Sequence, residues 1–257
     1  MQMIGIDIGG SGIKAAVVET TTGELITPRV RVETPQPSTP KAVAKVAAGI
    51  VADLPPELSA GIGFPAVVID GEAKTAANVD ESWIGTKADA LFADALGRPL
   101  IVGNDADAAG LAEMRFGAGR GELGTVLMLT LGTGIGSALF RAGVLVPNTE
   151  LGHLQIRGKD AERRAAASIK ERKGLSWHEW GKLLSEYLDA IDALLWPDLV
   201  IIGGGISKDA AHFIKDLPSR MRCVPATLLN RAGIVGAAMF AAEAAQLTAP
   251  ATAGAER

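Results

Sequence analysis

Cysteine is almost missing from this chain of 257 residues: there is one, Cys223. A single thiol builds neither a disulfide framework nor a cysteine-ligated zinc cluster, and it fits a reducing cytosol. Histidine is scarce too, at three residues, and His178 and His212 stand at no ligand spacing from His153, so no zinc is expected. No apolar run reaches the roughly 18 residues of a membrane span, so no membrane partner is expected. The opening Met1-Gln2-Met3-Ile4-Gly5 leads straight into a strand pattern, with no basic segment ahead of an apolar one, so no secretory signal is expected and a cytoplasmic location is expected. An excess of positive charge is lacking as well. The net charge is −4, which argues against general nucleic-acid binding.

What the chain has in quantity is glycine, 31 residues of it, within a composition that is 48% hydrophobic. That is a globular, turn-rich chain, long enough for one large domain or two small ones. The glycines fall into two similar segments. Ile6-Asp7-Ile8-Gly9-Gly10-Ser11-Gly12-Ile13-Lys14-Ala15-Ala16-Val17-Val18 reads strand, glycine turn, strand, and so does Leu129-Thr130-Leu131-Gly132-Thr133-Gly134-Ile135-Gly136-Ser137-Ala138-Leu139. Glycine lets backbone N–H groups approach an anion closely, and Ser11 and Thr133 add hydroxyl donors. Two such turns in two halves of one chain suggest a phosphate chain held from both sides. Each turn leads into a strand rather than a helix, so neither has the context of a dinucleotide fingerprint.

The remaining pattern alternates strands and helices. Strands are expected at 3–8, 13–19, 29–34, 59–64, 100–102 and 199–202, with the second hairpin at 125–140. Helices are expected at 41–53, with Thr39 as N-cap and Pro40 at the first position, and at 88–96, closed by Gly97. Others are expected at 104–116, 176–196 and 232–245. Trp177, Trp180, Leu184, Tyr187, Leu188, Ile191 and Leu195 recur at helical steps, and Pro197 stops that helix. The division expected is a small α/β domain at 1–103, on which a helix at 232–246 packs, a larger α/β domain at 104–231, and a flexible tail at 247–257.

Asn104-Asp105-Ala106-Asp107 lies at a strand-to-helix junction. An N-cap with acidic residues in the first turn accounts for it structurally. The chemical reading is that Asp105, kept ionised by helix-start donors, accepts a proton from a substrate hydroxyl. Glu150-Leu151-Gly152-His153 places an acceptor and an imidazole around a glycine, a pair suited to vicinal sugar hydroxyls. Asn78 sits in a polar loop, and Gly203-Gly204-Gly205 follows an all-apolar strand, which suits close backbone approach to a ligand or a tight turn. Residues 157–173 carry seven Lys or Arg against three Asp or Glu. That stretch is either a solvated helix face or a landing strip for a long polyanion.

Taken in order, these motifs resemble the ROK family of sugar kinases and repressors, and within it the polyphosphate glucokinase branch. Asp7 to Lys14 is similar to the first phosphate motif, Asn104 to Glu113 to the catalytic segment, Leu131 to Ser137 to the second phosphate motif, and Glu150 to His153 to the sugar-binding motif. The likeness runs from about residue 4 to residue 239. Two departures stand out: no cysteine-rich zinc loop follows His153, as in the polyphosphate branch, and Ala66 replaces the usual glycine after Gly63-Phe64-Pro65.

The resemblance implies an actin-like, ribonuclease H-like duplicated fold, two α/β domains with a cleft between them. It implies phosphoryl transfer to the 6-hydroxyl of glucose, with polyphosphate, ATP or both as donor. Asp105 would be the base, and Asn78, Asn104, Glu150, His153 and Glu162 would hold the sugar. Asp7, Gly9, Gly10, Ser11, Gly12, Lys14, Gly132, Thr133, Gly134, Gly204 and Gly205 would line the phosphate site. Mg²⁺ would come with the phosphates, with Asp7 reached through water rather than by direct ligation. A homodimer is implied as well. A strictly ATP-dependent glucokinase or glucomannokinase is the neighbouring alternative. A repressor needs a helix-turn-helix ahead of the first phosphate strand, which starts at residue 3, and a non-catalytic sugar sensor does not need Asp105 together with both phosphate turns.

Overall fold

Strand β1 (Gln2–Ile8) and strand β2 (Ile13–Glu19) form the first hairpin, closed by the bond from Gly9 N–H to Gly12 O at 3.1 Å. Both strands are mostly apolar, because both faces of their sheet are covered, and Asp7 and Lys14 are the charged exceptions next to the turn. Ile4, Ile6 and Ile8 face one core, while Met3, Ala16 and Val18 face another. The first sheet adds β3 (Glu24–Leu25), β4 (Val30–Val32), β5 (Ala60–Phe64) and, beyond a small hairpin of β6 (Val68–Ile69) and β7 (Glu72–Ala73), strand β8 (Leu100–Asn104). Its order is β3-β2-β1-β5-β8, with β4 on β2, and β1, β5 and β8 run parallel. Helices α1 (Pro40–Val51) and α2 (Ala88–Leu96) close the outer core, in which Trp83 stacks on Phe92 and touches Phe64. The structure is a computed structural model and describes residues 1–218 and 220–248.

The second half repeats the plan. After α3 (Asp105–Phe116) come β9 (Thr125–Leu131), β10 (Ile135–Arg141), β11 (Val144–Val146) and a small hairpin of β12 (Gln155–Ile156) and β13 (Lys159–Asp160). Helices α4 (Glu162–Ala165), α5 (Ala167–Lys173) and α6 (Trp177–Leu195) follow, then β14 (Leu199–Gly203), β15 (Arg222–Pro225) and α7 (Ala232–Thr248). The sheet order is β11-β10-β9-β14-β15, with β9, β14 and β15 parallel. Both halves therefore place a hairpin at the centre and extend it by two parallel strands, which is the duplicated arrangement the twin glycine turns imply.

The two helices that follow the sheets lie between them. Helix α3 lies on β9 and β10, α7 lies on β1 and β5, and the two helices touch. The approach of α7 to the first sheet is so close that a Cβ at Gly61 would stand 1.7 Å from the carbonyl oxygen of Ala237. This puts the N-termini of α3 and α7 at the gap between the sheets, next to both glycine turns.

Several boundaries differ from those expected. The strand expected at 29–34 is only Val30–Val32, and the two-residue β3 precedes it. Helix α1 ends at Val51 rather than 53, ahead of Pro55 and Pro56, and Thr39 precedes it without a side-chain cap. Helix α6 opens on a capping box of Ser176 and Glu179 and ends with Trp196 in the left-handed region (φ 48°), one residue before Pro197. Its tryptophans serve its own core: Trp180 is buried and edge-on to Phe213, and Trp177 stacks on Phe213 and His212. Of the tail expected at 247–257, Leu247 and Thr248 belong to α7 and the rest lies outside the described residues. Among the described residues no helix is long and apolar enough to cross a membrane.

Candidate active site

The gap between the sheets is a cleft of ≈ 250 Å³. Asp7 stands at the end of β1, in register with Lys14 on β2, and the Lys14 ammonium donates to Asp7 Oδ2 at 2.7 Å. Gly9 and Gly10 line the cleft beside them. Ser11 and Gly12 do not: Ser11 is exposed on the outer side of the turn and Gly12 is buried beneath Arg31.

The opposite wall comes from the second half. Gly132, Thr133 and Gly134 line the cleft, and their turn is closed by Gly132 N–H donating to Gly134 O at 3.1 Å. Ser168 fixes the same turn, with its N–H on Gly132 O at 3.1 Å and its hydroxyl on Thr133 O at 2.7 Å. Gly203, Gly204 and Gly205 complete this wall. Gly204 has φ +80°, and a Cβ there would stand 2.3 Å from Leu131 O. A side chain is excluded, and the backbone comes to the cleft surface.

Asn104 ends β8 and caps α3. Its Oδ1 accepts from the N–H groups of Ala106 and Asp107 at 2.8 and 3.0 Å, and its amide donates to Ala66 O at 3.1 Å and Glu150 Oε1 at 3.4 Å. One side chain therefore caps α3 and also reaches Glu150 across the cleft. Asp105, the next residue, is half-buried in the cleft floor. Burial first, then the charges of Asp7, Glu150 and Asp107, raise its pKa from the ordinary 3.8 to about 7, against one backbone N–H that lowers it. This corrects the expectation of a firmly ionised carboxylate: desolvation and crowding outweigh the helix-start donors. A carboxylate with a pKa near neutrality is a stronger proton acceptor than an ordinary one and is still ionised in good part at neutral pH.

The far end of the cleft gathers Glu150, His153, Glu162 and Asn78. Glu150 is set by its neighbours: Ser137 donates to Thr149 O at 2.7 Å and accepts from Leu151 N–H at 3.0 Å. Burial raises the Glu150 pKa, and the Glu162 charge adds to the rise while His153 opposes it. His153 Nε2 lies 3.9 Å from Glu150 Oε2, and Nδ1 lies 3.3 Å from Asp160 Oδ2. With Nδ1 donating to Asp160, Nε2 is left for a ligand. Glu162 begins α4, and its Oε2 lies over Gly134 and accepts from Ile135 N–H at 3.4 Å. Asn78 is in the loop that Trp83 anchors by donating from Nε1 to Ser38 O at 2.9 Å.

A second carboxylate in the same turn is raised as well. Asp107, buried in the first turn of α3, is also raised to about 7 by burial. Its Oδ2 accepts from Asn148 N–H at 2.7 Å, and Asn148 in turn accepts from Val68 N–H at 3.0 Å and donates to Val68 O at 3.1 Å. The strand β6 of the first half is thereby tied to the loop carrying Glu150.

His153, Asp160 and Glu162 place one ligand-type atom each within 4.8 Å of one another. Each already has a protein hydrogen bond, and Asp160 also accepts from Gln155. Within the cluster Asp160 braces the imidazole, while Glu162 is held separately by Ile135 N–H.

The cleft thus brings together fifteen of the seventeen residues expected, leaving out Ser11 and Gly12. The wall also includes Thr130 of the second hairpin, and Leu229, Asn230 and Gly233, which carry no motif and stand out only in three dimensions. Asp160 and Asn148 were equally silent in the sequence, since neither belongs to a spacing pattern. The basic stretch is partly spent. Arg157 and Arg164 both bind Glu186, Lys170 sits 4.0 Å over the Trp177 ring, and Arg163 lies 3.9 Å from Asp160.

Residues 3–168 match the profile of the ROK family. The polyphosphate glucokinase of Mycobacterium tuberculosis (strain ATCC 25618 / H37Rv) is 52% identical over 236 residues, covering 91% of this chain and 89% of that protein. The polyphosphate glucokinase of Mycobacterium leprae (strain TN) is 50% identical over 236 residues, covering 91% and 73%. Among solved structures, the inorganic polyphosphate/ATP-glucomannokinase from Arthrobacter sp. strain KM superposes with a TM-score of 0.92 at 52% identity, over 95% of this chain and 99% of that one. A ROK family glucokinase from Streptomyces griseus, in complex with glucose and AMPPNP, gives a TM-score of 0.83 at 24% identity over 95% and 100%. At that identity the likeness is one of fold.

Proposed function

This chain belongs to the ROK family, and we propose that within it the protein is a glucokinase fed by inorganic polyphosphate. It moves the terminal phosphoryl group of polyphosphate, and of ATP, to the 6-hydroxyl of glucose, giving glucose 6-phosphate. The observation that carries this reading is the convergence of two glycine hairpins, a carboxylate with a pKa of about 7 and a Glu–His pair in one cleft. The 52% identity to polyphosphate glucokinases supports the donor.

In this mechanism Glu150, His153, Glu162 and Asn78 take the sugar hydroxyls, each of which asks for an acceptor and a donor. Asn104 has its amide on Ala66 and Glu150, so it acts by orienting Glu150. Asp105 accepts the proton of the 6-hydroxyl as that oxygen bonds to the terminal phosphorus. The bond from that phosphorus to the bridging oxygen breaks, and the donor leaves one phosphate shorter. The transition state is loose, so positioning and neutralisation of charge matter most. The N–H groups of both glycine turns and the Lys14 ammonium supply that neutralisation from opposite walls.

Magnesium, carried in with the donor, adds charge neutralisation on the transferred group. Asp7 suits a metal that keeps its waters: Lys14 occupies only Oδ2, and the carboxylate borders the cleft. A cytoplasmic homodimer completes the proposal. Leu194 and Trp196, exposed at the end of α6, are apolar residues that a second copy can cover, and light scattering distinguishes one chain from two.

The test of the donor is glucose 6-phosphate formation by purified protein with glucose and Mg²⁺, on long-chain polyphosphate or ATP alone. Turnover on polyphosphate is expected. Turnover on ATP alone overturns the donor assignment and leaves the phosphotransferase.

Asp160 has a defined part in this scheme. It fixes the His153 ring through Nδ1, so Asp160→Asn is expected to raise the KM for glucose about three-fold to ten-fold, the worth of roughly one net hydrogen bond, with little change in the KM for the donor. A matched change in both constants removes Asp160 from the sugar end.

A further inference from the structure

The register of the first sheet places three charged residues in one row across neighbouring strands. Asp7 on β1 is opposite Lys14 on β2, and Lys14 is opposite Arg31 on β4. Residues directly opposite on neighbouring strands project to the same face, with Cβ atoms about 5 Å apart. Asp7 and Lys14 line the cleft, and Arg31 is exposed outside it. The row therefore leads from the phosphate site to the surface.

Arg31 lies over the first glycine turn. Its Nη2 donates to Ser11 O at 3.2 Å, and a Cβ at Gly12 would stand 2.9 Å from Nε and Nη2, so the missing side chain at Gly12 leaves the space in which the guanidinium rests. A carbonyl oxygen does not neutralise a guanidinium, and Arg31 has no carboxylate within ion-pair distance among the described residues. Arg29, two residues back, is exposed and likewise without a carboxylate partner there. Glu33, two residues on, is exposed and of opposite sign, so positive charge extends along the strand toward Arg29. The basic stretch at 157–173 differs only in part: Lys159, Arg172 and Lys173 also lack a carboxylate partner among the described residues, whereas its other four cations are engaged. Arg157 and Arg164 share Glu186, and Lys170 rests on Trp177.

We infer that Arg31 forms a distal subsite for inorganic polyphosphate, holding phosphates of the donor that lie beyond the cleft, with Lys14 as the link to the reacting end. This rests on the polyphosphate reading above and extends it to a site outside the cleft. A triphosphate is accommodated between the two glycine turns and gains nothing from a cation beyond them. A longer chain keeps about one charge on each further phosphate and does gain from it. The guanidinium is suited to this task, because its planar donors bind phosphate oxygens in pairs and its charge persists at every working pH.

The test measures initial rates for wild type, Arg31→Ala and Arg31→Lys on three donors: long-chain polyphosphate, tripolyphosphate and ATP. For Arg31→Ala the KM for long-chain polyphosphate is expected to rise about five-fold, the loss of one charge-assisted contact at an exposed site. The KM values for tripolyphosphate and ATP are expected to stay within about two-fold, and Arg31→Lys is expected to recover part of the loss. The polyphosphate KM of the alanine variant is also expected to depend less steeply on salt. An equal rise for all three donors overturns the proposal, because it makes Arg31 a brace of the Ser11–Gly12 turn. No change on long-chain polyphosphate overturns it as well. Absence of wild-type turnover on polyphosphate fails the functional reading itself, and the subsite falls with it.

Discussion

Asp105→Asn is expected to lower kcat by about 10²–10⁴-fold, the usual contribution of a positioned general base, while the KM for glucose stays within about three-fold. Asparagine matches aspartate in size but cannot accept a proton from the 6-hydroxyl, so chemistry is lost and sugar binding is kept. Wild-type kcat/KM is expected to rise with pH and level off above about 7, because the carboxylate must be ionised and its pKa is about 7. The variant is expected to lack that limb. Stability should move the other way. Asp105 binds its proton more tightly in the folded chain than in the unfolded one, where its pKa is near the ordinary 3.8. Its contribution to folding therefore becomes less favourable as pH rises from about 4 to about 7, and the asparagine variant avoids that loss. Thermal unfolding at pH 5 and pH 8 checks this, with the variant gaining on wild type at the higher pH. A loss of kcat under ten-fold, with the pH limb intact, would remove Asp105 from the role of base.

Gly61→Ala is expected to produce the largest change in stability. The new methyl group would stand 1.7 Å from Ala237 O, and the atoms that must yield are backbone atoms of a helix lying on a sheet. Overpacking of this kind costs about 3 kcal/mol or more, which for a chain of this size lowers Tm by roughly 6–12 °C. Activity should fall with it, because Ala232 and Gly233 at the start of the displaced α7 line the cleft beside Asp7. Gly49 is the control. It is exposed in the last turn of α1, and a Cβ there meets nothing within 4 Å. Gly49→Ala is expected to leave activity alone and to stabilise by about 0.5–1 kcal/mol, the ordinary helix-propensity gain. Equal melting of the two variants would contradict the close docking of α7 on β5.

The local motifs were legible in the sequence because each rests on a local rule. A glycine turn between two apolar runs is a hairpin wherever the chain goes next, and Asn104 before an alanine-rich run is a helix cap in any context. Matched hairpins in two halves are enough to imply duplication, and the ordered motifs are enough to suggest the family. The ends of elements were less legible. Trp196 in the left-handed region and the short β3 depend on neighbours from elsewhere in the chain.

What the sequence by itself determined is the twin-hairpin plan, the absence of any disulfide framework or cysteine zinc cluster, and the residue types available for phosphate, sugar and proton transfer. What only the tertiary structure decided is how those residues act on one another. The Asp105 carboxyl rises to about 7 because folding buries it near Asp7, almost a hundred positions earlier in the chain, and near Glu150. His153 is braced by Asp160, a residue with no motif to announce it, and the basic stretch is partly cancelled by Glu186 on α6. Arg31 comes to lie beside Lys14 and the first glycine turn through the pairing of β2 with β4. Spacing along a chain fixes backbone conformation, whereas desolvation, ion pairing and cross-strand register depend on distance in space. Those distances are set only when the two sheets close around α3 and α7.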